Sequence, residues 1–389
     1  MDYSFQVEVA PSFGGVPVKP ETLKATPFHF AYPPDLETEW IDVMDYGVPL
    51  WVSDPEDEYD AFRNRVGLLE YSMLYRWDIQ GQGAVATVDA VFSRNVAKLA
   101  PGTMAYGVIV DADGNMVDDP TVTVYGPEHV LLVGGNPDVG QILNEHLVDN
   151  ARVHERRSEC CVLSVQGPQS RALLSRLVDT DMSNDAFPYY TFRTGVTLAG
   201  VVCQINRIGF TAELGFEVVA PIDAAPHLLA AVQEAGADLG ATLCGAAALM
   251  MCRIESGMVM AGLEYDETSS PFDCRLGWAV DFDKGSFVGR DALLSLRDTA
   301  PDRVITLEVD GDADGLDGVP LLHDSNTVGA ITMAVPSPAL GGSTIAMARI
   351  QRALAEPGTK LEVAAPDGHR RATVLRTPVY DPDRTRVRS

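Results

Sequence analysis

Near residue 300 the chain changes texture. From Arg303 onward, short alternating runs of apolar and polar residues are broken at Gly311, Gly315, Gly318, Gly341-Gly342, Pro357 and Gly358. Even, short strands between such breakers build a small β-barrel or sandwich. Upstream, strand-like and helix-like patterns alternate instead. Ser53-Asp54-Pro55 is a helix start signal, and Tyr59, Phe62, Arg63 and Val66 follow at helical spacing, which predicts a helix over 56–66. Alternation predicts a strand over 75–80; strands are also read over 129–134, 160–166 and 215–220, and helices over 84–92, 137–147, 168–177, 224–237 and 243–256. Residues 106–110 and 116–125 read as a hairpin turned by Asp113-Gly114-Asn115. Residues 1 to about 35 lack periodicity and read as an arm packed on the surface. The fold class is α+β. Residues 1–300 form one domain and residues 301–389 a C-terminal β-barrel.

Composition narrows the function. The net charge is -26, with 55 acidic against 29 basic residues and no dense Lys/Arg block. Such a surface repels phosphate backbones and anionic lipids, so nucleic acid and membrane are set aside as partners. No stretch of 18 apolar residues occurs, and residues 1–15 lack the features of a secretory signal. Cys160, Cys161, Cys203, Cys244, Cys252 and Cys274 form no CxxC pair and read as reduced core residues of a cytoplasmic protein. The seven histidines show no HExxH or other paired spacing, so no metal site is expected. Gly81-Gln82-Gly83-Ala84-Val85-Ala86 fits a loose dinucleotide fingerprint. No acidic residue lies between Val91 and Val110, and the segment reads as an ordinary turn.

Three segments carry chemistry that scaffold alone does not require. In Met116-Val117-Asp118-Asp119-Pro120 two adjacent carboxylates enter an apolar strand. Adjacent strand side chains face opposite ways, so one Asp must turn inward or into a cleft; a simple Asp-Asp-Pro turn is the alternative. In the segment 206–217, Phe210 and Phe216 flank Glu213 and Glu217, with Gly209 and Gly215 allowing close backbone approach to a ligand. The rings could stack on a flat heterocycle, and a carboxylate could accept two hydrogen bonds from an aminopyrimidine edge; a hairpin with solvated glutamates is the alternative. Arg253 and Glu255 close an apolar helix before Gly257 as its C-cap, with an internal ion pair at the helix end as the bland reading.

Taken in order, these segments and several others resemble the aminomethyltransferase family, which holds the glycine-cleavage T-protein and folate-dependent demethylases. The marks are Tyr59-Asp60-Ala61-Phe62-Arg63, Val66-Gly67-Leu68-Leu69-Glu70-Tyr71-Ser72, Asn95-Val96, Pro101-Gly102, Tyr106 and Asp118-Asp119. Val165-Gln166-Gly167-Pro168, Gly209-Phe210-Thr211, Gly215-Phe216-Glu217, Arg253-Ile254-Glu255-Ser256-Gly257, the 284–293 segment, Val328-Gly329 and Pro378-Val379-Tyr380-Asp381-Pro382 follow. The resemblance implies a ring-like arrangement of α+β subdomains with a C-terminal β-barrel. It implies tetrahydrofolate as co-substrate, with no metal. It casts Asp119 and Tyr106 as catalytic, and Glu217, Asp118, Phe210, Arg253 and Tyr106 as folate-binding. Tyr106 or Tyr265 would donate a proton to the leaving group.

Departures from the T-protein pattern sharpen the expectation. Glu70-Tyr71-Ser72-Met73-Leu74 stands where Asp-Val-Ser-His-Met is usual, Pro120 follows Asp119, and Leu249 replaces an arginine expected to grip the folate tail. Pro120 after Asp119, and Tyr75-Arg76-Trp77 entering the strand, look more like the demethylase branch, which moves a methyl group from an O-, N- or S-methyl small molecule to tetrahydrofolate. The rivals are a true T-protein, whose partner is a lipoyl carrier protein, and a non-enzymatic folate-binding relative. That relative's Lys-Gly-Cys-Tyr segment reads Lys284-Gly285-Ser286-Phe287 here, without the thiol.

Overall fold

A computed structural model describes residues 22–389. The architecture is mixed α+β and divides into two compact units. Among the described residues, one comprises 22–107, 119–252 and 383–389; the other comprises 108–118 and 253–382.

Among the described residues, the larger unit holds a two-stranded ribbon, Trp40–Val43 with Tyr46–Pro49, and two larger sheets. Six strands lie in the order Phe192–Leu198, Val201–Asn206, Gly215–Pro221, Cys160–Gln166, Val66–Glu70 and Ala241–Leu243. All pairs are antiparallel except the last. Every residue of the central Cys160–Gln166 strand is buried, which explains its nearly unbroken apolar run. The period of two then sorts its neighbours. Cys161, Leu163, Val165, Leu68, Phe216, Val218, Cys203 and Ile205 join one core with Leu173, Leu228, Leu229 and Val232 from the covering helices. Ser164, Glu217 and Asn206, mutually paired across three strands, lie on the opposite face. The second sheet runs Arg152–Glu155, Tyr75–Gln80, His129–Gly134, Thr121–Gly126 and Thr103–Tyr106.

The start signal at Ser53-Asp54-Pro55 acts as read, with Asp54 as the cap. Its carboxylate accepts from the backbone N of Glu56 at 2.9 Å and of Asp57 at 3.3 Å, and the helix spans Pro55–Asn64. Asp54→Ala is expected to destabilise this unit by roughly 1 kcal/mol, read as a lowered midpoint in thermal unfolding.

Two expectations are refined. The described part of the N-terminal arm is held by buried anchors at Thr26, Phe28 and Tyr32, with Lys24, Phe30, Pro33, Pro34 and Asp35 exposed. Phe28 is fully buried in the core of the six-stranded sheet, and its backbone N donates to Glu70 at 3.0 Å; residues 1–21 of the arm lie outside the described residues. The 106–125 hairpin also splits. Thr103–Tyr106 pairs with Thr121–Gly126 in the five-stranded sheet, whereas Ile109–Val110 pairs with Met116–Asp118 in a separate ribbon. The ribbon's turn is closed by Asp111, whose carboxylate accepts from the backbone N of Asp113 and of Asn115, each at 2.9 Å.

The second unit contains the closed six-stranded barrel, ordered Asp302–Val309, Ser343–Gln351, Asn326–Ser337, Pro320–His323, Lys360–Ala365 and Gly368–Leu375. Ile305, Leu307, Leu321, Ile331, Ala348 and Val363 belong to its core. All six cysteines are buried and unpaired with one another. No helix among the described residues is long and apolar enough to cross a membrane.

Candidate functional site

Glu217, Ser164 and Asn206 occupy the face of the six-stranded sheet opposite the core that holds Leu173, Leu228, Leu229 and Val232. On the five-stranded sheet, Arg76, Asp78 and Gln80 share one face of the Tyr75–Gln80 strand by the same alternation. A hydrogen bond joins the two polar faces. Tyr125 donates its Oη to Gln204 Oε1 at 2.7 Å, and Gln204 Nε2 donates to Asn206 Oδ1 at 2.7 Å. Asn206 is the cross-strand neighbour of Glu217 and pulls its carboxyl downward, so the oriented amide chain ends beside that carboxylate.

Glu217 retains partial solvent access, although its surroundings are crowded. Burial pushes its carboxyl above the usual carboxylate range; the Arg76 cation and the Asn206 hydrogen bond pull against that rise. Tyr71, the residue immediately after the Val66–Glu70 strand, reports the same neighbourhood. Burial pushes its phenol up, and the negative charges of Glu217 and Asp119 push it further. Tyr71 thus lies within the electrostatic reach of both carboxylates.

Asp119 follows the point where the hairpin splits. It is half-buried and accepts a hydrogen bond from Tyr106 Oη at 2.8 Å. Tyr106 ends the Thr103–Tyr106 strand, and its opposite number is Thr121, so the register of the pairing brings the phenol to the carboxylate. A partly exposed carboxylate tied to a phenol can hold a positive charge, accept a proton, or orient a nucleophile.

The other expected site residues have surroundings of their own. Asp118 is buried as the last residue of the Met116–Asp118 strand, in the second unit. Arg253, also in that unit, is fully buried. Its Nη1 meets Glu264 Oε2 at 2.6 Å and Met258 O at 3.3 Å. The ion pair with Glu255 does not form, because positions two apart on a helix point to different faces. Glu255 instead accepts from Ser337 Oγ at 2.7 Å. Tyr265 is buried within the same unit, and Leu249 is buried in the Ala246–Glu255 helix.

The segment 206–217 is only partly what it promised. Phe216 points into the apolar core and meets Phe187 edge-on, because alternation puts it on the face opposite Glu217. Glu213 is buried against Arg63 at 3.2 Å, with Arg386 at 3.4 Å. Gly209 and Gly215 make room for Gln166 rather than for a ligand. A Cβ at either would come within 1.9 Å of Gln166 Oε1. That side chain knits the segment together, donating to Ser164 Oγ at 3.0 Å and Ile208 O at 3.2 Å and accepting from Thr211 Oγ1 at 3.0 Å. Gly215→Ala is expected to cost about 1–3 kcal/mol of stability, measured by denaturant unfolding, because Gln166 must move. Phe210 remains half-buried in the loop that Gln166 anchors. The glycines of Gly81-Gln82-Gly83 are filled in the same way, by the backbone of Val148 and Asn150, as an ordinary turn requires.

Sequence reasoning missed Tyr71, Arg76, Tyr125 and Gln204 as members of the site. Tyr71 and Arg76 were visible as departures from the family pattern. Tyr125 and Gln204 carry no signal until the two sheets are brought together. Among the described residues, no cluster of His, Cys, Asp and Glu side chains is gathered as metal ligands would be.

Comparison with known proteins gives one consistent result. The family model described as the GCVT N-terminal domain matches residues 33–284, and that described as the glycine cleavage T-protein C-terminal barrel domain matches residues 303–381. An aminomethyltransferase of Streptomyces avermitilis is 36% identical over 330 residues, covering 82% of this chain and 87% of that protein. One from Halothermothrix orenii is 29% identical over 345 residues, covering 88% and 95%. A protein of Ruegeria pomeroyi named trimethylamine-oxide aldolase is 32% identical over 349 residues, covering 86% of this chain but 44% of its own length. In fold, the chain is similar to the crystal structure of the glycine cleavage system aminomethyltransferase T from Bartonella henselae, with a TM-score of 0.82 at 22% identity, covering 92% and 98%.

Proposed function

Because the chain belongs to the glycine cleavage T-protein family of one-carbon transferases, we propose that it transfers an aminomethyl carbon to tetrahydrofolate at the Tyr71, Tyr106, Asp119 and Glu217 cluster. The observation that carries this reading is the pair of partly exposed carboxylates, Asp119 held by Tyr106 and Glu217 beside Asn206, in one electrostatic neighbourhood. The residues fit the co-substrate. An ionised Glu217 offers acceptor positions to the donor edge of an aminopyrimidine, and the half-buried Phe210 offers an aromatic surface for a flat ring.

Tetrahydrofolate supplies two nitrogen nucleophiles. An aminomethyl group on a dihydrolipoyl sulfur would give 5,10-methylene-tetrahydrofolate, ammonia and the free thiol. Both N–H protons of the folate leave in those products, one with the amine and one with the sulfur. Asp119 supplies the charge that favours the nitrogen as it turns positive, and it takes the proton that nitrogen must shed. Tyr106 fixes the carboxylate through its Oη, so that little reorganisation accompanies the step. The corresponding partner is a lipoyl carrier protein.

Transfer of a whole methyl group is the second reading. Pro120 and Tyr75-Arg76-Trp77 favour it in the sequence, and the relative named for trimethylamine oxide keeps it in view. The names of the aminomethyltransferase relatives weigh more, since those proteins match along nearly their whole length.

Product analysis separates the two. Incubation with tetrahydrofolate and an aminomethylated dihydrolipoyl carrier is expected to release ammonia and 5,10-methylene-tetrahydrofolate. 5-Methyl-tetrahydrofolate formed from an N-, O- or S-methyl donor would replace the first reading with the second. No folate product from any donor would overturn both.

A further inference from the structure

Arg76 is a buried cation with nothing to hold. It is 1% exposed, and its Nε, Nη1 and Nη2 are all buried without a hydrogen-bond partner. A guanidinium in that condition is costly unless something else in the structure uses its charge. The carboxylate nearest along its own strand does not. Asp78 is engaged by His129 at 2.6 Å and by Gln80 at 2.8 Å, with Arg156 at 4.0 Å. Arg76 instead acts toward Glu217, Tyr71, Tyr125 and Cys160, opposing the rise that burial imposes on each.

We infer that Arg76 is a positioning residue for Glu217: it sits unpaired on the polar face of its strand so that Glu217, at the end of the Tyr125–Gln204–Asn206 chain, stays a carboxylate ready to accept a ligand's N–H donors. The inference rests on the reading of Glu217 as the acceptor for the co-substrate. The two devices divide the task. The amide chain sets Asn206 beside the carboxylate, and the guanidinium supplies charge without occupying either oxygen. A direct Arg76–Glu217 salt bridge would spend the lone pairs that the ligand needs. The titratable and charged groups bearing on this centre are Tyr71 after the Val66–Glu70 strand, Asp119 before the Thr121–Gly126 strand, Tyr125 on that strand, Cys160 on the central strand, and Asp78, His129 and Arg156 around Arg76. Of these, only Arg76 is a fully buried cation.

The test uses the whole protein and the variants Arg76→Gln and Arg76→Lys, each with and without Glu217→Gln. Tetrahydrofolate affinity, followed by calorimetry across about pH 5–9, should fall at low pH in the wild type as Glu217 takes up a proton. In Arg76→Gln that fall should move to higher pH, leaving affinity about tenfold lower at neutral pH and close to wild type at the alkaline end. Arg76→Lys should recover most of the loss. In the Glu217→Gln background, Arg76→Gln should change nothing further. A loss that is the same at every pH, or that persists without Glu217, overturns the inference. A second readout needs no folate. The Glu217 carboxyl is titrated by infrared difference between each protein and its Glu217→Gln counterpart. Its midpoint should rise in Arg76→Gln, and an unchanged midpoint overturns the inference. If Glu217→Gln leaves folate affinity untouched, the folate reading fails, and the infrared titration still decides the role of Arg76.

Discussion

Asp119→Asn is expected to lower turnover about 100- to 1,000-fold while leaving tetrahydrofolate affinity within about twofold. Asparagine keeps the size of the side chain and can still accept the hydrogen bond that Tyr106 Oη makes at 2.8 Å. It cannot take up a proton at that oxygen, and it offers no negative charge to a nitrogen becoming cationic. The loss should therefore appear in the rate of transfer and not in binding. Single-turnover measurement with saturating folate reads that rate directly. A variant that turns over at the wild-type rate would remove Asp119 from the reaction.

Glu217→Gln is expected to do the opposite. Tetrahydrofolate affinity should fall about 10- to 100-fold, the worth of a charge-assisted hydrogen bond to a ligand donor, with transfer at saturation changed less. It should also make the folded protein more stable at neutral pH. Burial raises the Glu217 carboxyl above its ordinary range, so in the window above the unfolded value the native state holds more proton than the unfolded one. Stability contributed by this group is present at low pH and declines as pH rises through that window. Glutamine has no charge to desolvate and escapes the decline. A paired measurement, calorimetric titration for affinity and thermal unfolding for stability, should show weaker binding together with a higher melting temperature. Weaker binding with lower stability would point to a structural role instead.

Much of this fold was legible in the sequence because most elements are governed by local rules. The strands Tyr75–Gln80, His129–Gly134 and Cys160–Gln166 run between the residues that periodicity marks. The Pro55–Asn64 helix begins where its cap requires, and the change of texture near residue 300 foretold the closed barrel. The ordered motifs carried the family. What the motifs meant individually was harder to read. Gly209 and Gly215 signalled close approach, but whether a ligand or Gln166 fills the space depends on a strand more than 40 residues away. Phe216 and Glu217 are adjacent in sequence and, by the period of two, face opposite sides of a sheet, so the ring cannot flank the carboxylate. The split of the 106–125 hairpin was not legible, because it turns on pairing partners that no local pattern names. Arg76 stands in a segment that departs from the family pattern, but its role is not legible for a similar reason. An arginine in a strand is ordinary until the sheets on either side are seen to leave it without a partner.

The central claim is that a tetrahydrofolate-binding carboxylate sits at Glu217, and calorimetric titration of the wild-type protein and Glu217→Gln with tetrahydrofolate at neutral pH tests it most directly. Saturable binding at a single site, weakened at least about tenfold by the substitution, is the predicted result. Binding of equal strength in both proteins, or no binding by the wild type, would contradict the claim.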